Sequence, residues 1–268
     1  MLRYLILYGH FIRFSIGRAF EFRLDFFFRV IMDLAYYGVN LAFYKVIFLQ
    51  TPLLGGWNQD QTFVFMAGFL VVDAIAMTVF SNNLWGLPVL VNRGDLDYYL
   101  VRPVSSLFFL TLRDFAANSF LNLLLALGIL GWALARLPSL PHGSFLGSAG
   151  PILGFLVLLG LGAVLHSMLH LLVVLPVFWM QSGSGLHAIF YNLARFMERP
   201  DRIYTGWVRR ILVTAVPFCL MASYPARLFF EGFQGRLVLH FSAVLVTFFL
   251  IILMVWPAGL RAYSSASS

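Results

Sequence analysis

Along the chain, apolar residues gather into long runs broken by short polar stretches rich in glycine and proline. Runs of this length suit helices that cross a bilayer, which need about 20 apolar residues each. The pattern predicts six such spans, at roughly 26–49, 62–84, 106–134, 151–177, 209–224 and 237–258. The fifth is short and contains Pro217. Residues 1–25 read differently. Arg3, His10, Arg13, Gly17 and Glu21 share one helical face, while Leu5, Tyr8, Ile12, Ala19 and Phe22 lie largely opposite. Such a helix is expected to lie in the membrane interface rather than to cross it. A second interfacial helix is expected after the joint Gln181-Ser-Gly-Ser-Gly185. There His187, Tyr191, Asn192, Arg195, Glu198 and Arg199 fall on one face, Ile189, Phe190, Leu193, Phe196 and Met197 on the other, and Pro200 ends the helix. Between spans five and six, Tyr224 to Gly232 is amphipathic and too short to cross.

Composition agrees. Of 268 residues, 61% are hydrophobic and 11% charged, against about 45–50% and 25% in soluble domains. This excludes a soluble enzyme and a disordered tail. The single cysteine, Cys219, leaves no internal disulfide or cysteine metal cluster. The expected architecture is an all-α integral membrane protein forming one domain: an interfacial helix over 1–25, a six-span core over 26–258 and a polar tail over 259–268.

Charge supplies the sidedness. The chain carries 18 Lys+Arg against 11 Asp+Glu, a formal +7, with Lys45 the one lysine. Because the basic residues sit between apolar runs, the expected partner is the anionic bilayer surface and not nucleic acid. The segments 1–25, 85–105, 181–210 and 261–268 hold twelve basic residues, and the alternate segments 50–61, 135–150 and 225–236 hold three. The positive-inside rule then predicts both termini and the 85–105 loop in the cytoplasm.

The chemical inventory is sparse. A phosphate-binding P-loop requires Gly-Lys-Ser/Thr, and Lys45 stands in Phe43-Tyr-Lys-Val46. Neither a G-x-S-x-G elbow nor an H-E-x-x-H helix is present. His166 and His170 share a face of span four and could hold a metal or join helices. Asp73, mid-depth in span two, marks either a polar pathway or a carboxyl bonded to a neighbouring helix. Asp33 is positioned to pair with Arg29. The loop over 85–105 mixes buried-type residues with paired charges, so it needs a surface to pack against: another protein, the rest of this chain, or the membrane interface through Tyr98 and Tyr99. A chain without an energy-transducing motif must be passive, ion-driven or powered by a partner. An intramembrane enzyme using His166, His170 and Asp73 is the remaining alternative.

The stretch Arg93-Gly-Asp-Leu-Asp-Tyr-Tyr-Leu-Val-Arg-Pro-Val104 is similar to the G-x-L-D-x-x-L-x-R-P segment found after the second span in one branch of the ABC-2 family of transporter permeases. The segment Tyr224 to Gly232 resembles that family's short outer-leaflet helices. The resemblance implies two paired permease subunits, a homodimer or related heterodimer, in a bacterial inner membrane. A dimer of separate ATPase subunits would bind ATP and Mg, leaving this chain with no cofactor. The docking element would be a coupling helix within 86–103. Pro88 and Gly94 would set its ends, Leu90, Val91 and Leu100 would enter an ATPase groove, and Arg93, Asp97 and Arg102, followed by Pro103, would fix register. Substrate, expected to be hydrophobic or amphipathic and exported, would pass at the dimer interface. Asp73, Pro217, Tyr224 and Pro225 are the candidate path residues.

Overall fold

The computed structural model describes the backbone of residues 2–19, 23–117, 119–137, 145–180, 183 and 185–263. The Arg29 side chain, much of the 136–150 loop, most of the 181–185 joint and the tail from 264 lie outside the described residues. Helices make up the fold, with an isolated bridge between Leu54 and Trp57 as the extended pairing among the described residues. In order they are α1 (Leu2–Ala19), α2 (Arg23–Phe48), α3 (Gln59–Ala76), α4 (Asn82–Arg93), α5 (Asp97–Leu100), α6 (Ser106–Leu112), α7 (Phe120–Ala135), α8 (Phe145–Val174), α9 (Val177–Met180), α10 (Leu186–Ala194), α11 (Gly206–Thr214), α12 (Leu220–Glu231) and α13 (Gly235–Ala262).

Among the described residues, three helical stretches are long and apolar enough to cross a membrane: Gln59–Arg93, Gly150–Met180 and Gly235–Ala262. The first is the centre of the bundle, with 72% of its most apolar window buried; the last is 17% buried and presents its apolar surface outward. α3 starts from a full capping box in which Asn58 and Gln61 bond each other's backbone N–H. It continues through a π-helical turn, Met77–Ser81, into α4. α2 is 26 residues long but carries Asp33, Asn40 and Lys45 among its apolar positions.

Span three, expected over roughly 106–134 with room for a short lead-in holding Arg113 and Asp114, is interrupted there. α6 and α7 are separated by 113–119, and the interruption is held by the π turn and the start of α4. Asn83 exchanges two 2.9 Å hydrogen bonds with the Asp114 backbone, the Thr78 hydroxyl donates to the Ser119 carbonyl at 3.1 Å, and the Ala116 N–H donates to the Thr78 carbonyl at 2.8 Å. Backbone groups freed inside an apolar bundle need such partners.

The fifth span is corrected. In place of one crossing over 209–224 there are two helices of 9 and 12 residues, broken at 215–219 around buried Pro217. At 1.5 Å per residue neither reaches the roughly 30 Å needed. α12 lies against the middle and one end of α8: a Cβ at Gly162 would meet the Met221 carbonyl at 2.7 Å, and Phe155 stacks on Phe229 at 5.2 Å.

The helix expected at the interface over 187–199 is likewise corrected. α10 packs inside the bundle, with Phe190 fully buried and stacked on His170 at 4.0 Å. His187 and Tyr191 meet Trp85 and Phe190 meets α8, while Ala188, Ile189 and Asn192 stay exposed. The chain emerges at Pro200, beside Gly55. Arg202 pairs with Glu231 at 2.6 Å, and Arg209 and Arg227 converge on fully buried Asp201 at 2.6 and 3.5 Å. Residues 199–210 therefore share one end of the bundle with the 50–61 loop and α12. They cannot lie on the side opposite those segments, as the arginine count had placed them. Shifting Arg199, Arg202, Arg209 and Arg210 nearly evens that count.

α1 is a separate helix, as expected. It lies along α6 at the other end: Arg3 donates to the Pro103 carbonyl at 3.1 Å, Tyr4 meets Phe108, Phe11 meets Phe109, and the Ser15 hydroxyl accepts from the Phe115 N–H at 3.2 Å. Leu5, Ile6 and Phe14 remain exposed, an apolar surface suited to a membrane interface.

Candidate functional site

Two places combine unusual chemistry with unusual geometry. The first is the end of the long helix. Pro88, expected to begin a helix, sits inside α4, buried and in contact with Gly183. Its missing N–H falls in the helix interior, about two turns beyond the π turn that already loosens the i to i−4 ladder. Gly94 does end the helix. It adopts φ 78°, and its N–H donates to the Val91 carbonyl at 3.3 Å. That left-handed conformation suits glycine.

Beyond Gly94, Leu96 is buried and anchors the turn into a cluster with Leu84, Leu87 and Leu110. Then comes α5, one turn long, where a longer coupling helix had been expected. The predicted contact residues divide. Leu90 and Val91 pack against this chain's own cluster. Leu100 is 36% exposed, and its neighbours Tyr98 and Val101 are 64% and 82% exposed. Arg93 points outward. The Arg102 guanidinium lies over Tyr98 at 4.7 Å and Phe109 at 5.1 Å, a cation–π arrangement in place of an acid partner. Arg113 does the same over Tyr99 at 4.4 Å. The Pro103 carbonyl receives Arg3, so α1 and this turn form one surface. Asp97 opens α5 and stands near Tyr263 from α13's end.

The second place is inside the bundle. A cavity of about 340 Å³ lies between α2, α3, α7, α8 and the segment from α10 to Glu198. Asp73 faces it, with Asp33 and Glu198 also on its wall. No hydrogen bond or ion pair joins Asp73 to a described residue. Glu198 accepts from the Tyr36 hydroxyl at 3.4 Å, and its carbonyl accepts from Tyr44. On the same wall the Tyr37 and Asn122 side chains lie beside each other, and His166 Nδ1 is buried without a hydrogen-bond partner among the described residues. His170, by contrast, turns to His187, with ring nitrogens 3.0 Å apart.

Sequence reasoning found Asp73 but placed it with Pro217, Tyr224 and Pro225, and the structure separates them. Pro217 is buried in the α11–α12 turn, Tyr224 bonds His240 at 2.9 Å, and Pro225 sits inside α12; none of the three lines the cavity. Tyr37, Asn122 and Glu198 were missed. Asn122, a lone amide in the apolar stretch of α7, was the readable signal.

Residues 34–267 match the family model described as ABC-2 family transporter protein. No curated protein and no solved structure matches the chain.

Proposed function

Since this chain belongs to the ABC-2 family of transporter proteins, a group of multi-pass membrane proteins, we propose that it is the permease subunit of an ATP-driven exporter. The family match over 34–267 is the observation that carries this reading. The lack of any Gly-Lys-Ser/Thr motif supports ATP hydrolysis in a separate subunit.

The ATPase would dock at the turn following Gly94. What supports this is the combination of a buried anchor, Leu96, with an exposed apolar tip at Tyr98, Leu100 and Val101. An apolar tip ringed by Arg93, Asp95 and Arg102 suits a groove on another protein better than open water. On this reading Leu90 and Val91 brace the tip from behind, and Pro88 with Gly94 fixes its direction. The same end then faces the cytoplasm, along with α1 and the end of α13, in an inner membrane. That sidedness rests on the likeness of residues 93–104 to the family's coupling segment and no longer on the arginine count.

A second permease copy would pack on α2. Phe28, Met32, Val39 and Val46 are exposed at spacings of 4, 7 and 7, forming one apolar stripe. Six crossings follow if α10 through Glu198 makes a short fifth passage and α11 with α12 re-enters from the outer side. An apolar path suits hydrophobic or amphipathic cargo.

The test is co-expression with an ABC ATPase encoded beside this chain, followed by purification in lipid nanodiscs. A stable complex with ATPase activity above that of the isolated ATPase is expected. Transport by this chain alone, at full rate and driven by an ion gradient, would overturn the reading.

A further inference from the structure

From the internal cavity we infer a binding site for a small organic cation, a protonated amine held by Asp73 within a single copy of this chain. It goes beyond the transporter reading, which places no ligand inside a protomer.

An uncompensated carboxylate at mid-depth in a bundle is costly unless a cation or proton meets it. Asp73 is such a group, facing the cavity and joined to nothing described. Two further acids stand on the same wall, Glu198 with Arg195 and Arg199 near it and Asp33 with a contact of its own, which leaves Asp73 as the acid the cavity exposes. The Tyr37 and Asn122 side chains lie beside each other on the same wall, and His166 Nδ1 is buried there without a partner. An ammonium group brings the positive charge that Asp73 lacks, with N–H donors for its carboxylate.

The aromatic walls fit the rest of such a molecule. Tyr36, Tyr37 and Tyr191 border the space, and tyrosine faces attract cations and apolar rings alike. A volume of about 340 Å³ is at the small end for ligand pockets, so the occupant is an arylalkylamine or similar and not a lipid chain. Asp73 also stands one turn from the π turn at Met77–Ser81, on the helix that runs on to Gly94. An occupant of the cavity would thus press on the helix that carries the proposed docking turn.

The experiment uses the full chain in lipid nanodiscs, without ATPase, titrated calorimetrically with benzylamine and, separately, with benzyl alcohol and benzoate. Saturable binding of benzylamine at one per chain is expected, with little or none for the neutral and anionic partners. Asp73→Asn should weaken it about tenfold or more, the loss of one charge-assisted contact. Asp60→Asn, which alters a carboxylate paired with Arg136 on the surface, should leave it unchanged. Should Asp73→Asn fail to fold, Glu198→Gln and Asn122→Leu carry the same expectation of weakened binding. Equal binding of benzyl alcohol, no saturable heat from the folded wild type, or full affinity in all three cavity variants would overturn the site. Because no ATPase is present, that failure would leave the transporter reading standing; loss of ATPase coupling with benzylamine binding intact would do the reverse.

Discussion

Gly162 sets how closely α12 approaches α8. A methyl group there would meet the Met221 carbonyl at 2.7 Å, and a backbone oxygen cannot swing aside as a side-chain end can. Gly162→Ala should therefore cost roughly 1–3 kcal/mol as overpacking, seen as a lower melting temperature. Gly160→Ala, two residues away with nothing within 4 Å, should be neutral or slightly stabilising. Asp201 holds a different position: its carboxylate is fully buried between Arg209 and Arg227, and its N–H donates to the Ser223 hydroxyl at 3.0 Å. Asp201→Asn should destabilise the chain by less than the ~3–5 kcal/mol of a fully buried pair, because the Arg209 side chain reaches solvent. A melt that is unchanged would show that residues 200–231 are held by packing alone. At this scale the sequence was informative at Asp73, an acid alone in an apolar run, while the same signal at Asn122 went unread. It was silent on Asp201, because a carboxylate in an arginine-rich loop reads as an ordinary surface charge.

For whole elements, length and periodicity conflicted with packing. The stretch 209–224 is apolar enough to suggest a crossing, yet Pro217 and the 215–219 break divide it, and α12 is buried against α3 and α8. Over 187–199 the pattern is amphipathic, which suggested the interface. The same pattern serves a helix whose polar face meets Trp85 and the cavity while its apolar face meets α8. Helical spacing says which residues share a face, not what that face meets. The turn after α4 was more legible, since Gly94 with flanking charges announces a helix end. Its internal split was not: Leu96, rather than Leu90 or Val91, proved to be the fully buried anchor. If this turn docks an ATPase, Val101→Asp should abolish co-purification while leaving the melt of the isolated chain within about 0.5 kcal/mol, the usual range for exposed positions. Retained stimulation would refute that role for the tip. Gly94→Val should cost about 1 kcal/mol through its left-handed backbone and weaken coupling as well.

For the molecule as a whole, the two ends of the bundle carry different arginines. Arg93 and Gly94 lie with α1 and α6, whereas Arg202 lies with Gly55 and Glu231. In a Cys219→Ser background, cysteines at 93 and 202 should be labelled from opposite sides of a sealed vesicle by an impermeant maleimide. Labelling from one side would contradict the fold itself. The helical class and membrane setting were plain from composition, because apolar content on this scale has no soluble solution. Connectivity at the end that holds Gly55 and Glu231 was not, since it depends on which short helices turn back. The rod from Gln59 to Arg93 has one further consequence. At 1.5 Å per residue it is about 50 Å long, and it is pinned near Thr78 and Asn83 by the bonds to 114–119. Were the rod to turn about those pins as one body, the arms on either side would be roughly 30 Å and 18 Å. A swing of about 5° would shift the short tip by about 1.5 Å and the far tip by about 2.6 Å in the opposite sense, so a modest push at Gly94 would arrive at Gln59 reversed and enlarged.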